Sequence, residues 1–395
     1  MNGDRLTVCH VFSGDLWAGA EVVIFNLLAG LRREPGLRIV ALALNEGTLT
    51  ERLREAGVTT HVIPESRHTL PGIVWRAARR LRDESVRIIH SHRYKENVLA
   101  WLLARRLGGV DLVTTVHGLP EGPDNRGERV QSAGWRRRLD FAIVRNAFSV
   151  AVAVSEEMKR ALVARYGFPD ARVRVIRNGA ALPTPAAPAP RNEVFHIGTV
   201  GRLVPIKGLE LFVEVAARLC RETPAVRFSI LGDGPLRAEL AGQAARLGLG
   251  DRLQLLAPVA DPYPYYRSLD VYLNTSLHEG LPLSVVEAMA CGTPVVSAAV
   301  GGIPEIVAEG EHGFLVDGRE PEAFAERCRA LMRDEPRRAA MRARASTAAR
   351  TRSSAAAMAE AYRRLYEDCA ARRRPRPAER RLAALARTPV TRRAP

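Results

Sequence analysis

Short apolar runs alternate along most of this chain with longer stretches whose apolar residues recur at helical spacing. Strand-like runs occur at Arg5–Phe12, Arg38–Leu44, Val58–Ile63, Val86–Ser91, Val110–Val116, Ser149–Val154 and Val173–Ile176. Helical patterns at Glu21–Arg33, Ile73–Asp83 and Asn97–Leu107 are interleaved with them. Pro183, Pro185, Pro188 and Pro190 then make Ala180–Asn192 a stiff Pro/Ala linker. A second series follows at Val194–Val200, Val226–Leu231, Arg252–Leu255, Val271–Asn274, Pro294–Ser297 and Phe314–Val316. Strands separated by helical patterns imply parallel sheets with right-handed crossovers. The expectation is an α/β chain of two doubly wound, Rossmann-like domains facing across a cleft. Their bounds would be 1–180 and 193–352, with the linker at 181–192, a long helix at 353–371 and a basic tail at 372–395. Within Ser353–Cys369, Met358, Ala361, Tyr362 and Leu365 share one helical face.

Composition narrows the class. With 395 residues, two cores are the default, and 47% hydrophobic with 26% charged residues fits a globular protein in water. The first residues run straight into a strand without an apolar signal core. The longest charge-free run, Ala288–Pro304, is broken by Gly292, Pro294, Gly301 and Gly302 and does not read as a membrane span. Cys9, Cys220, Cys291, Cys328 and Cys369 are scattered and never form C-x-x-C pairs. They read as reduced thiols of a cytoplasmic protein without structural zinc. Net charge is +16, and residues 372–395, with nine Arg and one Glu, carry half of it. That tail is either simply solvated or drawn to an anionic membrane surface, at about 1 kcal/mol per nearby basic residue. Nucleic acid is excluded as a partner: aromatics are 6%, and no basic groove with stacking residues can be read.

Two stretches carry candidate chemistry. In Glu279-Gly-Leu-Pro-Leu-Ser-Val-Val-Glu287, Glu279 falls on the loop after the strand Val271–Asn274, and Glu287 falls about one turn into the next helix. Ligands of open parallel sheets bind at such strand ends. Paired carboxylates there suit a ligand rich in hydroxyls, since each accepts hydrogen bonds in fixed geometry. The competing reading is structural: Ser284-Val-Val-Glu287 has the spacing of a capping box. Earlier, Gly201-Arg202-Leu-Val-Pro-Ile-Lys207-Gly208 joins a strand to a helix. Arg202 can fork onto phosphate oxygens, and Lys207 lies near a helix N-terminus, where the dipole favours an anion. The loop is neither a Walker A sequence nor a dinucleotide fingerprint. Gly232-Asp-Gly234-Pro235 forms a tight turn after another strand.

Taken together and in order, these segments, with Gly292-Thr-Pro-Val-Val and Gly301-Gly-Ile-Pro-Glu305, resemble the retaining glycosyltransferases of the GT-B fold, specifically glycosyltransferase family 4. In the first half, Ala18-Gly19-Ala20-Glu21 resembles that family's G-G-A-E turn. His90-Ser-His92, Thr115-Val-His117-Gly118, Val154-Ser155 and Asn178-Gly179 also stand where its motifs fall. The resemblance spans about residues 5–370. It implies that the C-terminal helix packs back on the first domain and that a sugar moves from a nucleotide-diphosphate donor to an acceptor hydroxyl with retention. Cell-surface polysaccharide, lipopolysaccharide or glycolipid synthesis would be the setting, with a glycan or lipid-linked acceptor.

By the same resemblance, Arg202 and Lys207 would bind the diphosphate, Glu287 the ribose and Glu279 a sugar hydroxyl. His117 would face the donor sugar across the cleft. Leu283 and Ser284 would offer backbone N–H groups, and Gly19, Gly232, Gly234 and Gly280 would line the donor site. His90 and His92 are left open between site groups and satisfied buried histidines. No Asp-x-Asp pair is present, so no metal or other cofactor is expected. Ala18 departs from the family's first glycine, and would strain the loop if that position needed positive φ. Basic and aromatic residues at Trp75-Arg76, Arg79-Arg80, Arg105-Arg106 and Trp135-Arg-Arg-Arg138 would suit a peripheral position on an anionic membrane surface. The alternative enzyme class is a non-hydrolysing nucleotide-sugar epimerase of the same fold.

Overall fold

A computed structural model describes residues 5–15, 17–118, 134–182 and 194–372, without the side chains of 134–137. The proline-rich linker from 183, the side chains of Trp135, Arg136 and Arg137, and the basic tail from 373 lie outside what is described.

The first unit comprises β1 (Leu6–Phe12), α1 (Gly19–Leu31), β2 (Leu37–Ala43), α2 (Thr48–Glu55), β3 (Thr59–Val62), α3 (Leu70–Asp83) and β4 (Ile88–Ser91). It continues with α4 (Tyr94–Leu107), β5 (Asp111–Val116), α5 (Gly134–Ala147), β6 (Val150–Ala153), α6 (Glu156–Tyr166) and β7 (Val173–Val175). Its seven strands pair in parallel in the order β3-β2-β1-β4-β5-β6-β7. The second unit holds β8 (Phe195–Val200), α7 (Leu209–Glu222), β9 (Val226–Leu231), α8 (Arg237–Arg246), β10 (Leu253–Leu256) and α9 (Tyr263–Ser268). β11 (Val271–Asn274), α10 (Leu283–Ala290), β12 (Val295–Ala298) and β13 (Gly313–Val316) complete it. Six parallel strands run β10-β9-β8-β11-β12-β13. The helices α11 (Pro321–Arg333), α12 (Glu335–Arg352) and α13 (Ala355–Arg372) close the described chain.

Helices cover both faces of each sheet, which is why strands such as β6 and β11 are buried along their whole length and read as unbroken apolar runs. In each sheet the strand order reverses beside the first strand, between β1 and β4 and between β8 and β11. Crevices therefore open at the C-terminal ends of those strands, and Arg202, Lys207 and Glu279 sit on the loops leaving β8 and β11.

α13 crosses back to the first unit. Met358, Ala359, Tyr362, Leu365, Tyr366 and Cys369 are buried in that unit's core, each large apolar side chain stabilising by roughly 1.5–3 kcal/mol. The crossing is pinned where Ala180 N–H donates to Ser353 O (2.9 Å) and Ala355 N–H donates to Ala180 O (2.8 Å). Beside it a Cβ on Gly179 would stand 2.3 Å from Ser354 O, so only glycine lets the strands meet.

A second contact clasps the units. The Glu305 carboxylate accepts from the Glu156 N–H (2.7 Å) and Glu157 N–H (3.2 Å) at the start of α6, and pairs with Arg177 at 2.9 Å. Asn178 Nδ2 donates to Leu281 O at 2.9 Å. The motifs Val154-Ser155, Asn178-Gly179 and Gly301-Gly-Ile-Pro-Glu305 are thus the joint between the halves. Among the described residues no helix is long and apolar enough to cross a membrane.

Candidate active site

On the second unit, the loop after β8 turns through Pro205–Lys207 and enters α7 at Gly208, whose φ of 55° is left-handed. Lys207 Nζ donates to Glu279 Oε1 at 2.6 Å, and Ser276 Oγ donates to the same oxygen at 2.7 Å. The ion pair is mostly shielded, with side chains 22% and 11% exposed. Glu279 is therefore held in one place, on the loop between β11 and α10. Arg202 is more open to solvent. Partial desolvation lowers its proton affinity, Glu21 raises it, Arg93 lowers it and Glu279 raises it, so four charges from both units converge there.

The G-D-G-P turn supports this loop from below. Gly232 and Gly234 approach it so closely that a Cβ would lie 1.9 Å from Gly201 O and 2.5 Å from Leu203 O. Leu203 N–H donates to Asp233 O at 2.9 Å.

The capping-box alternative for Glu287 fails. α10 begins after Pro282, no side chain caps it, and Ser284 lies inside its first turn. Glu287 instead accepts a hydrogen bond from the Tyr266 hydroxyl (Oε2, 2.8 Å). Burial pushes its pKa up to about 7, against the opposing effect of that bond. Leu283 and Ser284 head a helix whose first N–H groups lack a side-chain acceptor, an arrangement that favours an anion.

The wall from the first unit is different. His117 follows β5 directly, and its carbonyl would be 2.4 Å from a Cβ on Gly280, so glycine is what lets the two loops touch. The His117 ring meets His92 (Nε2 to Nδ1, 3.1 Å), and His92 meets His10 (Nε2 to Nδ1, 3.1 Å). Burial pushes the pKa of His10 and His117 down to about 3, and holds those of His90 and His92 well below the usual range. Nδ1 of His117 is buried with no hydrogen-bond partner among the described residues. His10, His90 and His92 offer nitrogens within 4.8 Å of one another, a spacing an ion would accept. Both nitrogens of each ring are already committed to hydrogen bonds, however, and His90 stacks on His92 with centroids 4.5 Å apart. Ligand rings spread around an ion, whereas these are layered as a hydrogen-bonded relay.

Sequence reasoning did not assign Arg93, Glu21, Ser276 or Tyr266 a role. Arg93 pairs with Glu21, which is buried on α1 with its second oxygen unpartnered. Arg93 immediately follows His90-Ser-His92, and Glu21 closes the Ala18-Gly-Ala-Glu turn, so position in a motif was the available signal. Gly19 opens α1, and a Cβ there would meet nothing within 4 Å, so the space in front of it is free. Ala18 has φ −142° and ψ −174°, an extended conformation open to any residue. Its departure from glycine therefore carries no strain.

Two parallel Rossmann-like sheets, with facing crevices and a terminal helix crossing between them, define the GT-B architecture. A solved structure of Anabaena HepE in complex with UDP and glucose superposes with TM-score 0.80 at 21% identity, over 92% of this chain and all of that one. In sequence, residues 17–182 match Glycosyltransferase Family 4, and residues 185–352 match Glycosyl transferases group 1. The D-inositol 3-phosphate glycosyltransferase of Xylanimonas cellulosilytica is 30% identical over 380 residues, covering 87% of each chain. The Corynebacterium efficiens protein of the same name is 33% identical over 276 residues, which span 64% of this chain and 65% of that protein's length. The chain belongs to the family 4 (group 1) glycosyltransferases.

Proposed function

We propose that this protein transfers a sugar from a nucleotide-diphosphate donor to an acceptor hydroxyl, with retention at the anomeric carbon. The observation that carries the reading is the Lys207–Glu279 pair beside Arg202, with Glu287 one turn into α10 and the His117 loop of the other unit packed against Gly280.

In this mechanism Arg202 and Lys207 take the diphosphate, helped by the Leu283 and Ser284 N–H groups at the start of α10. As the bond to the sugar breaks, negative charge grows on the leaving phosphate, and these fixed donors stabilise it. They do the work that a divalent ion would otherwise do, so activity should survive chelation by EDTA. Lys207 exchanges part of its contact with Glu279 for phosphate, and Glu279 is then free to accept from a sugar hydroxyl while Ser276 steadies it. Glu287, once ionised, accepts from the ribose hydroxyls. The acceptor attacks the face the leaving group vacates, and the departing phosphate receives the acceptor's proton. His117, neutral because it is buried, contributes a hydrogen bond rather than a charge.

Support for a nucleotide donor comes from HepE, whose solved complexes contain UDP with glucose and UDP-glucose. The nucleotide-sugar epimerase reading predicts conversion of donor without acceptor, and product analysis with a labelled donor separates the two. The anomeric coupling of the product, read by NMR, tests retention. Lys207→Ala and Glu287→Ala with wild-type transfer rates would overturn the site assignment.

The reading extends to a cytoplasmic enzyme of polysaccharide or glycolipid synthesis working at an anionic membrane surface. α3 supports this, because Leu70 (47% exposed), Trp75 (53% exposed), Arg76, Arg79 and Arg80 lie on its solvent side. Co-sedimentation with anionic vesicles at low salt checks it, and absence of binding removes it.

A further inference from the structure

A continuous buried chain of hydrogen bonds links α13 to the cleft. The Tyr362 hydroxyl meets Thr115 Oγ1 (2.7 Å), Thr115 meets His90 Nε2 (2.8 Å), and His90 Nδ1 meets the Tyr366 hydroxyl (2.6 Å). Tyr366 continues to His10 Nε2 (3.2 Å), His10 Nδ1 to His92 Nε2 (3.1 Å), and His92 Nδ1 to His117 Nε2 (3.1 Å). The three histidines behind His117, Thr115 and both tyrosines are buried.

A neutral imidazole has one donor and one acceptor nitrogen, so each ring passes on the direction it receives. Burial keeps all four imidazoles neutral, and Arg93 opposes protonation of His92 and His117 further. A hydroxyl of the relay that accepted from both neighbours would leave its own hydrogen unpaired, so a continuous relay runs in one of two ways. If every proton points toward the cleft, Tyr362 donates to Thr115, Thr115 to His90, His90 to Tyr366, Tyr366 to His10, His10 to His92 and His92 to His117. Every internal hydrogen then has an acceptor, and what remains is Nδ1–H of His117. If the relay runs the other way, the Tyr362 hydroxyl hydrogen has no acceptor among the described residues. His117 Nδ1 becomes a buried acceptor without a donor as well. Buried groups left unpaired carry their full desolvation penalty, so the first direction is preferred.

We propose that the relay is polarised toward the cleft, so that His117 presents Nδ1–H to an oxygen of the bound ligand, with His92, His10 and Tyr366 as positioning residues. This deepens the reading of His117 above and rests on it for its kinetic consequence only. The C-terminal helix is then more than packing, because Tyr366 supplies the proton that sets the tautomer of three rings.

Nitrogen NMR of the protein labelled with 15N-histidine tests this directly, with the His117 signals assigned by their loss in His117→Ala. The wild type is expected to show His117 protonated on Nδ1. Tyr366→Phe keeps the ring but removes the hydroxyl that donates to His10, and should release the His117 proton from Nδ1, so that the Nε2 tautomer appears beside it. It should lower kcat about tenfold with the donor KM within about twofold, as expected for one lost neutral hydrogen bond at the reacting end. Thr115→Val cuts off Tyr362, whose hydroxyl hydrogen decides the direction, and should likewise leave His117 as a mixture of the two tautomers. An Nε2-protonated His117 in the wild type, or a tautomer indifferent to Tyr366→Phe, overturns the proposal. A tautomer that switches while kcat stays constant upholds the relay and overturns the role of His117 in transfer.

Discussion

The two walls of the cleft are built on the same plan but differ in chemistry, the first carrying an ion pair, Arg93 with Glu21, beside an otherwise neutral set of groups. Each is a set of loops at the switch point of a parallel sheet. On the second unit those loops carry full charges held against each other, Lys207 against Glu279 with Arg202 beside them. On the first unit the residues behind His117 are imidazoles and hydroxyls that burial keeps neutral. Charge is useful where a phosphate departs. In the proposed mechanism neutral donors suit the sugar's side of the cleft, where the nearby cation, Arg93, is offset by its pairing with Glu21. The contrast predicts which variants respond strongly, which respond to pH, and which hardly respond at all.

The charged wall breaks most easily. In the proposed mechanism Lys207→Ala takes a point charge from the diphosphate, and it leaves Glu279 without the Lys207 ammonium. A loss of about 10²–10³ in kcat is expected, the usual cost of deleting one preorganised electrostatic group, measured as transfer or donor hydrolysis. Lys207→Arg should recover only part of it, since a planar fork does not reproduce a compact ammonium in that position.

Glu287 sharpens the comparison through pH. Its pKa of about 7 in the fold is above its ordinary value of 4.5. The folded state thus holds this proton more tightly than the unfolded chain does. The resulting stabilisation is complete below pH 4.5 and is lost as pH rises through 7. Glu287→Gln should therefore raise stability of the ligand-free protein by a few kcal/mol at pH 8, with little effect near pH 5. Donor affinity should show the reverse. It should weaken in the wild type as pH falls from 8 to 6, because the protonated acid loses acceptor capacity, and it should be weak and flat in the variant. Calorimetry of unfolding and of nucleotide binding across that range reads both. The neutral wall should add no inflection of its own there.

The clasp between the walls comes next in size. Glu305→Ala leaves the first N–H groups of α6 without the carboxylate and releases Arg177. The lost cap is worth about 0.5–2 kcal/mol, while the pair with Arg177, 40% exposed, adds little. Denaturant titration should show a loss of about 1 kcal/mol, with donor affinity nearly unchanged because Glu305 touches neither Lys207 nor Glu287.

These cases also mark what was legible in the chain. The strands were readable because sheets covered on both faces need mostly apolar runs, and Val226–Leu231, interrupted by Arg227 and Ser229, and Val271–Asn274 fall where the pattern puts them. The charged wall was readable for a related reason, since Arg202, Lys207, Glu279 and Glu287 sit at strand–loop–helix junctions only a few residues from their elements. α2 carried too short and polar a pattern (Thr-Leu-Thr-Glu-Arg-Leu-Arg-Glu) to stand out. The motifs flagged His90, His92, Thr115 and His117, but the relay that joins them to His10, Tyr362 and Tyr366 was not legible. Its members come from β1, β4, β5, the loops that follow and α13, with His10 and Tyr366 separated by 356 positions. Helical spacing marks Tyr362 as apolar-facing but is silent on its hydroxyl. The burial that makes His117 neutral is likewise a property of the assembled core.

The smallest effect is expected at Ala18, and the reason lies in backbone geometry. This position would demand glycine only if its φ were positive, where a Cβ collides with the neighbouring carbonyl. With φ −142° and ψ −174° it sits in the extended region that precedes a helix, and it makes no side-chain cap for α1. Restoring glycine removes one methyl group and gives the unfolded chain more freedom, while glycine is slightly the better residue at a helix start. These effects oppose each other, so Ala18→Gly should shift stability by no more than about 0.5 kcal/mol and leave kcat and donor KM unchanged. A large gain in activity would mean that the first loop takes a different, positive-φ path when ligand binds. The neutral wall would then be the mobile one, and its fixed relay could no longer account for how His117 is aimed.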